Sequence, residues 1–327
     1  MIIDTHCHLP YINHNVRNWE ELYINKYSKY LLRYLAKYYA FKAKCEYSNT
    51  LEKFKKNIMD STVKNINESI LDYAILFAID GVYDNQGQIK NKESVVYAPN
   101  SLILDLAKEN NKILPGASLN FNRRDVDQEL GYIIKNNFIL IKIHPSIQQV
   151  NIGDPKYIPL YHKIANARIP LLIHVGFESA IPGYNGVKEY NRIQNIELPL
   201  KYGCTVIAAH GGGTPIDFFG SEKETFEEVR KLLDKYPNLY LDNSATYGFH
   251  RPNRAKTMLK YPEYENRYLF GSDYPNVAAG MIANVIRINN ENIFNLDIQK
   301  KIELGFSEAS FANVLNVSDN IRFWLRR

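Results

Sequence analysis

The sequence predicts an α/β protein, a (β/α)8 TIM barrel with a helical insertion after its first strand, and three observations predict it. Eight short apolar runs recur, helical patterns lie between them, and the length suits one barrel once residues 11–70 are set aside. The runs are nearly continuous rather than alternating, as parallel strands covered on both faces should be. Without 11–70, the 327-residue chain comes close to the ~250 residues typical of one barrel. Residues 1–327 are therefore expected to form a single domain, with 11–70 a helical insertion within it.

In chain order, the first run is Met1–Ile3, and it gives way to the polar stretch Asp4–His8. The insertion follows, with eleven Lys and Arg against six Asp and Glu, so it holds the whole net charge of +5. Its Tyr23, Tyr27, Tyr30, Tyr34, Tyr38 and Phe41 step by three or four, an amphipathic stripe expected to pack on the barrel or a second subunit. The remaining strands are expected at Tyr73–Ile79, Ile113–Leu119, Phe138–Ile143, Ile169–Val175, Cys204–Ala209, Leu239–Leu241 and Tyr268–Phe270. Asp154 and Pro155 open a helix that closes before Pro170. Ser221–Glu224 reads as a capping box opening a helix to about Tyr236, where Pro237 stops it.

Composition excludes several classes. With 45% apolar and 23% charged residues the chain is neither disordered nor collagen-like. No apolar run approaches the ~18 residues of a membrane span, and MIIDTHCHLP lacks the layout of a signal peptide, so a cytoplasmic protein without a membrane partner is expected. Cys7, Cys45 and Cys204 are too scattered for a disulfide framework or a CxxC zinc site.

Polar residues cluster where the apolar runs finish: His6 and His8, Lys142 and His144, His174, His210, and Asp273. The C-terminal strand ends of a barrel face one mouth, where active sites sit, so these residues should converge. His6 and His8, two apart on a strand, share a face and can bind one cation, while Cys7 points away. Burying so many ionisable groups without a purpose would cost several kcal/mol in desolvation. Neutral imidazoles with a carboxylate suit Zn²⁺ first, with Mn²⁺, Fe²⁺ or Co²⁺ as alternatives.

These residues resemble the amidohydrolase superfamily, and within it the amidohydrolase-related branch that includes aminocarboxymuconate-semialdehyde decarboxylase. The matching pieces are DTHCHLP, IPLLIHVG, AAHGGGTP, LYLDNSA and LFGSDYP, which span nearly the whole chain apart from 11–70. The resemblance implies that His6, His8, His174 and Asp273 hold one divalent metal ion. It implies that His210 acts beside it as an acid/base or electrophile, and that Asp273 also takes a proton from water. In another branch a lysine placed like Lys142 is carbamylated and bridges two metals; here a buried lysine of lowered pKa, or a partner for a substrate carboxylate, is the competing expectation. Gly211–Gly213 are expected to make a tight turn. Arg251 and Arg254 suit bidentate carboxylate binding, although loop arginines ordinarily lie in solvent. His144 is expected to serve the strand end, His14 the loop leaving the site, and His162 and His250 the surface or helix packing.

The function expected is hydrolysis, with metal-activated water attacking an ester, lactone or amide of a small carboxylate-bearing substrate. The alternative is metal-dependent, non-oxidative decarboxylation of an aromatic or unsaturated acid at the same site. A non-enzymatic scaffold binding an acidic partner or nucleic acid through the basic insertion is disfavoured by the balanced charge of the barrel. The resemblance is also compatible with a homodimer in which 11–70 or the stretch after Asp273 helps close the neighbouring mouth.

Overall fold

A computed structural model describes residues 1–22, 26–176, 178, 187–213, 222–247, 251, 253–276 and 291–326. Eight parallel strands run in chain order: β1 (Ile3–His8), β2 (Tyr73–Phe77), β3 (Ile113–Ser118), β4 (Ile141–Ile143), β5 (Leu171–Ile173), β6 (Val206–Ala208), β7 (Leu239–Asp242) and β8 (Tyr268–Leu269). The ring closes between β8 and β1, where Thr5 N donates to Phe270 O at 2.9 Å and Asp273 N to His6 O at 2.8 Å. This is the (β/α)8 barrel that the apolar runs predict.

The first strand differs from its apolar run, for it extends through the polar residues to His8. A buried strand tolerates Asp4, Thr5 and His6 because each of the three is paired. The Asp4 carboxylate accepts from Ser272 N at 2.9 Å, the Thr5 hydroxyl donates to Phe270 O at 2.6 Å, and His6 Nδ1 lies 2.7 Å from Asp242 Oδ2. Elsewhere, apart from β7, which runs one residue beyond its apolar run to Asp242, the ladders are shorter than the apolar runs, as at β4, although Phe138, Ile139 and Leu140 ahead of it are buried as well.

The helix starts follow their local chemistry. The Asp154 carboxylate accepts from Lys156 N at 3.0 Å, a 3-10 turn at Pro155–Tyr157 leads into helix Ile158–Asn166, and β5 follows after Pro170. Helix Glu222–Lys235 stops before Pro237 as expected, while Ser221 lies outside the described residues. No helix among the described residues is long and apolar enough to cross a membrane.

The insertion folds as α1 (Lys26–Ala43) and α2 (Leu51–Asn67). Small residues Ala36, Ala40 and Ala43 of α1 are buried, and α2 buries Leu51, Phe54, Ile58 and Ile66. The expected aromatic stripe points the other way. Tyr34, Tyr38 and Phe41 are 70%, 41% and 40% exposed, which corrects the reading that they pack on the barrel. Their helical spacing is real, but the alanines sit two residues on, about 200° around the helix, and it is their face that lets α1 lie close. Tyr23 and the side chains of Tyr27 and Tyr30 are outside what is described. Asn65 of α2 donates to the Tyr274 hydroxyl at 3.2 Å and to Ala43 O at 2.8 Å, docking the insertion against the residue that follows Asp273.

Candidate functional site

β1 brings His6 and His8 to the barrel mouth side by side, their Nε2 atoms 3.0 Å apart. Asp273, from just beyond β8, completes the group: its Oδ1 lies 3.5 Å from His6 Nε2 and 3.5 Å from His8 Nε2. Donor atoms about a cation with bonds near 2.0–2.1 Å stand about 3.3 Å apart, so this trio has the dimensions of a divalent-metal site. Cys7 is buried between the two histidines in sequence and takes no part in the group.

The carboxylate of Asp242 at the end of β7 organises the floor. Its oxygens face His6 Nδ1 at 2.7 Å and accept from His210 N at 2.8 Å and Ser244 N at 3.0 Å. With the proton of His6 on Nδ1, set by that carboxylate, the Nε2 lone pair turns toward the mouth, the arrangement by which outer carboxylates orient metal-binding histidines. Sequence reasoning gave Asp242 no role, although it ends an apolar run within LYLDNSA. Asp4 was also missed; it clamps β1 to β8 through Ser272, and burial pushes its carboxyl up to about 6 while those hydrogen bonds oppose the rise.

Lys142 of β4 reaches the same group, its Nζ 2.9 Å from His6 Nε2. Burial brings it down to about 8, with Asp242 and Asp273 opposing, as expected of a buried lysine. Burial likewise pushes Asp273 up to about 8, against the pull of Lys142 and Arg251. His6, His8, His174 and His210 are held well below the usual imidazole range, by burial first and neighbouring positive groups second. Neutral imidazoles beside a carboxylate form a donor set that fits a divalent cation.

His210 follows β6 with φ +59°, in the left-handed region that L residues seldom enter, and its backbone is held there by Asp242. Its Nδ1 lies 2.9 Å from Ser244 Oγ and 3.2 Å from Ser244 O, and its Nε2 lies 3.1 Å from His174 Nδ1. The glycines behind it make the tight turn expected. At Gly213, φ +56°, a Cβ would stand 2.1 Å from Val175 O, and at Gly211 it would meet Arg254 Cγ at 2.8 Å.

Arg251 and Arg254 correct the expectation that loop arginines lie in solvent, for both are buried. The Arg254 guanidinium packs over Phe226 at 5.0 Å and donates to Gly213 O at 3.3 Å, which makes it a support for the His210 turn. Arg251 instead lies within electrostatic reach of His210, His174, Lys142 and Asp273.

The structure brings His6, His8 and Asp273 together, and it places His174 between His210, whose Nε2 lies 3.1 Å from its Nδ1, and the pair His144 and Glu178. His174 stacks on His144 with ring centroids 3.9 Å apart, and Glu178 Oε2 lies 2.6 Å from His144 Nε2 and 3.5 Å from His174 Nε2. Glu178 sits in a stretch without periodicity, so no sequence signal marked it. His162 is exposed against Tyr202, His14 is exposed against Tyr11, and His250 lies outside the described residues.

A family model described as amidohydrolase matches residues 3–283. Comparison with curated proteins returns no match. Among solved structures, the chain is similar to an uncharacterised TIM-barrel protein from Bordetella bronchiseptica at 14% identity and TM-score 0.62, covering 99% of this chain and 98% of that one. It is also similar to 4-oxalomesaconate hydratase from Rhodopseudomonas palustris at 15% identity and TM-score 0.57, covering 100% and 98%. A zinc-bound amidohydrolase from Burkholderia multivorans aligns at 10% identity and TM-score 0.55, covering 96% and 95%.

Proposed function

The chain belongs to the amidohydrolase family, a metal-dependent enzyme on a (β/α)8 barrel, and from that premise we propose that it hydrolyses an ester, lactone or amide of a small carboxylate-bearing substrate. The observation that best supports the reading is one mouth where a His6–His8–Asp273 donor group, a neutral His210 and two buried cationic side chains meet. His6, His8 and Asp273, with His174 from the end of β5, would hold the divalent ion, zinc ahead of manganese, iron or cobalt. When bound, the ion would supply Lewis acidity that lowers the pKa of water and polarises a carbonyl.

The remaining roles belong to side chains. Asp273 would accept the proton of the attacking water. The Ser244 carbonyl at its Nδ1 favours the His210 tautomer with the Nε2 lone pair on the site side, so His210 holds or moves a proton at Nε2. Lys142 and Arg251 would take the substrate carboxylate, and their burial away from water strengthens that contact.

The same two buried cations favour decarboxylation of an aromatic or unsaturated acid as the second reading, which would place the chain near the aminocarboxymuconate-semialdehyde decarboxylase branch. There His210 or Asp273 would deliver a proton to carbon as CO₂ leaves. On either reading the partner is a small molecule, neither nucleic acid nor membrane, and the enzyme works in the cytoplasm as a monomer or homodimer. A panel of lactones, esters, amides and unsaturated acids, assayed in parallel for acid release and CO₂ evolution, tests the proposal. Acid release without CO₂ is the expected result; CO₂ evolution would replace hydrolysis by the second reading, and no turnover across the panel would remove both.

A further inference from the structure

Helix Ile293–Leu304 carries an ion pair shut off from solvent: Asp297 and Lys301, one turn apart, are both fully buried and meet at 2.6 Å. Such a pair is a poor choice for stability alone. The desolvation of two charges offsets most of their attraction, and apolar side chains of similar volume commonly hold a fold as well or better. What charges supply that apolar residues do not is direction, and here both are directed at segments that bear the site.

Lys301 Nζ donates to Gly271 O as well as to Asp297, and it stands 4.6 Å from the centre of the Phe270 ring. The other oxygen of Asp297 accepts from the Tyr247 hydroxyl. One buried pair therefore grips two neighbouring stretches: the end of β8, which leads to Asp273, and the turn after β7, in which Ser244 faces His210. Gly271 is the pivot. Its N donates to Asn243 Oδ1 at 3.1 Å, and a Cβ on it would stand 2.7 Å from His6 Cβ, 3.3 Å from Ser244 Cβ and 3.6 Å from Asp242 Cβ. The glycine is thus pressed against His6 and against the residues that hold its ring, while Lys301 fixes its carbonyl. Beyond it, Ser272 N donates to the Asp4 carboxylate at 2.9 Å and Asp273 N to His6 O at 2.8 Å, so a shift of Gly271 is felt on both sides of the seam.

We propose that Lys301, Asp297 and Tyr247 are positioning residues for the cation site, setting through Gly271 the spacing between the β1 histidines and Asp273. The inference rests on the reading that those side chains hold a divalent ion, and it concerns residues that do not touch it.

The test replaces the charges without leaving one of them alone. A triple variant, Tyr247→Phe with Asp297→Leu and Lys301→Met, and the single variant Tyr247→Phe are compared with the wild type as full chains loaded with Co²⁺. Competition with a chelator gives affinity, the visible absorption of Co²⁺ reports ligand geometry, and melting of the metal-free proteins gives stability. The triple variant is expected to melt within about 5 °C of the wild type. It should bind Co²⁺ at least about tenfold more weakly and with an altered spectrum, as when outer partners of a metal site are lost. Tyr247→Phe, which removes one hydroxyl from a half-buried side chain, should move affinity and spectrum the same way by a smaller step. Wild-type affinity and spectrum in a folded triple variant would reduce the network to a structural role and overturn the proposal. Should the triple variant not fold, wild-type values in Tyr247→Phe overturn it. A wild-type chain that binds no Co²⁺ would instead remove the metal reading and the positioning role with it, a failure distinct from unaltered binding in the variants.

Discussion

The mouth of the barrel and the insertion at 11–70 carry equally regular sequence patterns, yet only at the mouth does the pattern dictate where side chains point. His6 and His8 alternate on a strand whose two faces are both buried, so period two leaves one inward choice. Along α1 the aromatic residues repeat at helical spacing, but the alanines repeat just as well, and burial went to the alanines. A period fixes which residues share a face; only a cost attached to the wrong face fixes its direction. A misplaced histidine pair would be buried without partners, whereas a tyrosine turned to solvent loses little because its ring and hydroxyl tolerate water.

Substitutions in the two regions sharpen this contrast. His6→Ala or His8→Ala should remove the cation and reduce turnover by at least about 10³-fold together, measured by elemental analysis beside any activity found. Should turnover survive, the mouth would be as permissive as the insertion. His210→Ala should leave that cation in place and lower kcat by about 10²–10⁴-fold, because it removes a proton-handling group and no ligand. Release of the cation instead would move His210 into the ligand set.

Asp242→Asn should weaken cation affinity about 10–100-fold, since the amide no longer fixes the proton on His6 Nδ1; competition with a coloured chelator would measure it. Within the insertion, the buried Lys42 is brought down to about 8 by burial, below its unfolded value of 10.5. The fold favours its neutral form, so this residue costs stability fully below pH 8, and the cost disappears as pH rises from 8 to 10.5. Lys42→Met should therefore raise the melting temperature by a few degrees at pH 7 and flatten that rise, as seen by melting at pH 7, 8 and 10. Tyr34→Ser should change stability by no more than about 0.5 kcal/mol and leave turnover intact; a larger loss would show that this exposed face is covered in solution.

How much of the molecule was legible follows the same rule. Eight apolar runs located eight strands, and the residues at their ends located the mouth, because both signals rest on burial. Asp242 and Asp4 went unnoticed because a carboxylate that accepts backbone and imidazole hydrogen bonds has no spacing of its own; its partners come from β6, β8 and β1, distant in sequence. Glu178 and Arg251 come from stretches without periodicity, and the burial of Arg251 against the site emerges only once the loops after the strands are packed.

The seam between β8 and β1 has a consequence for how the molecule comes into being. The two imidazoles of the His6–His8–Asp273 group come from β1 and the carboxylate from just beyond β8, so the group is incomplete until the last strand of the ring has been made. Joining contacts so far apart is a slow event in folding, because the loop entropy is lost before the contact forms. Asn65 and Tyr274 meet across the same seam, so the insertion waits on the last strand as the donor group does. On the proposed reading, capture of a cation by His6, His8 and Asp273 would report ring closure.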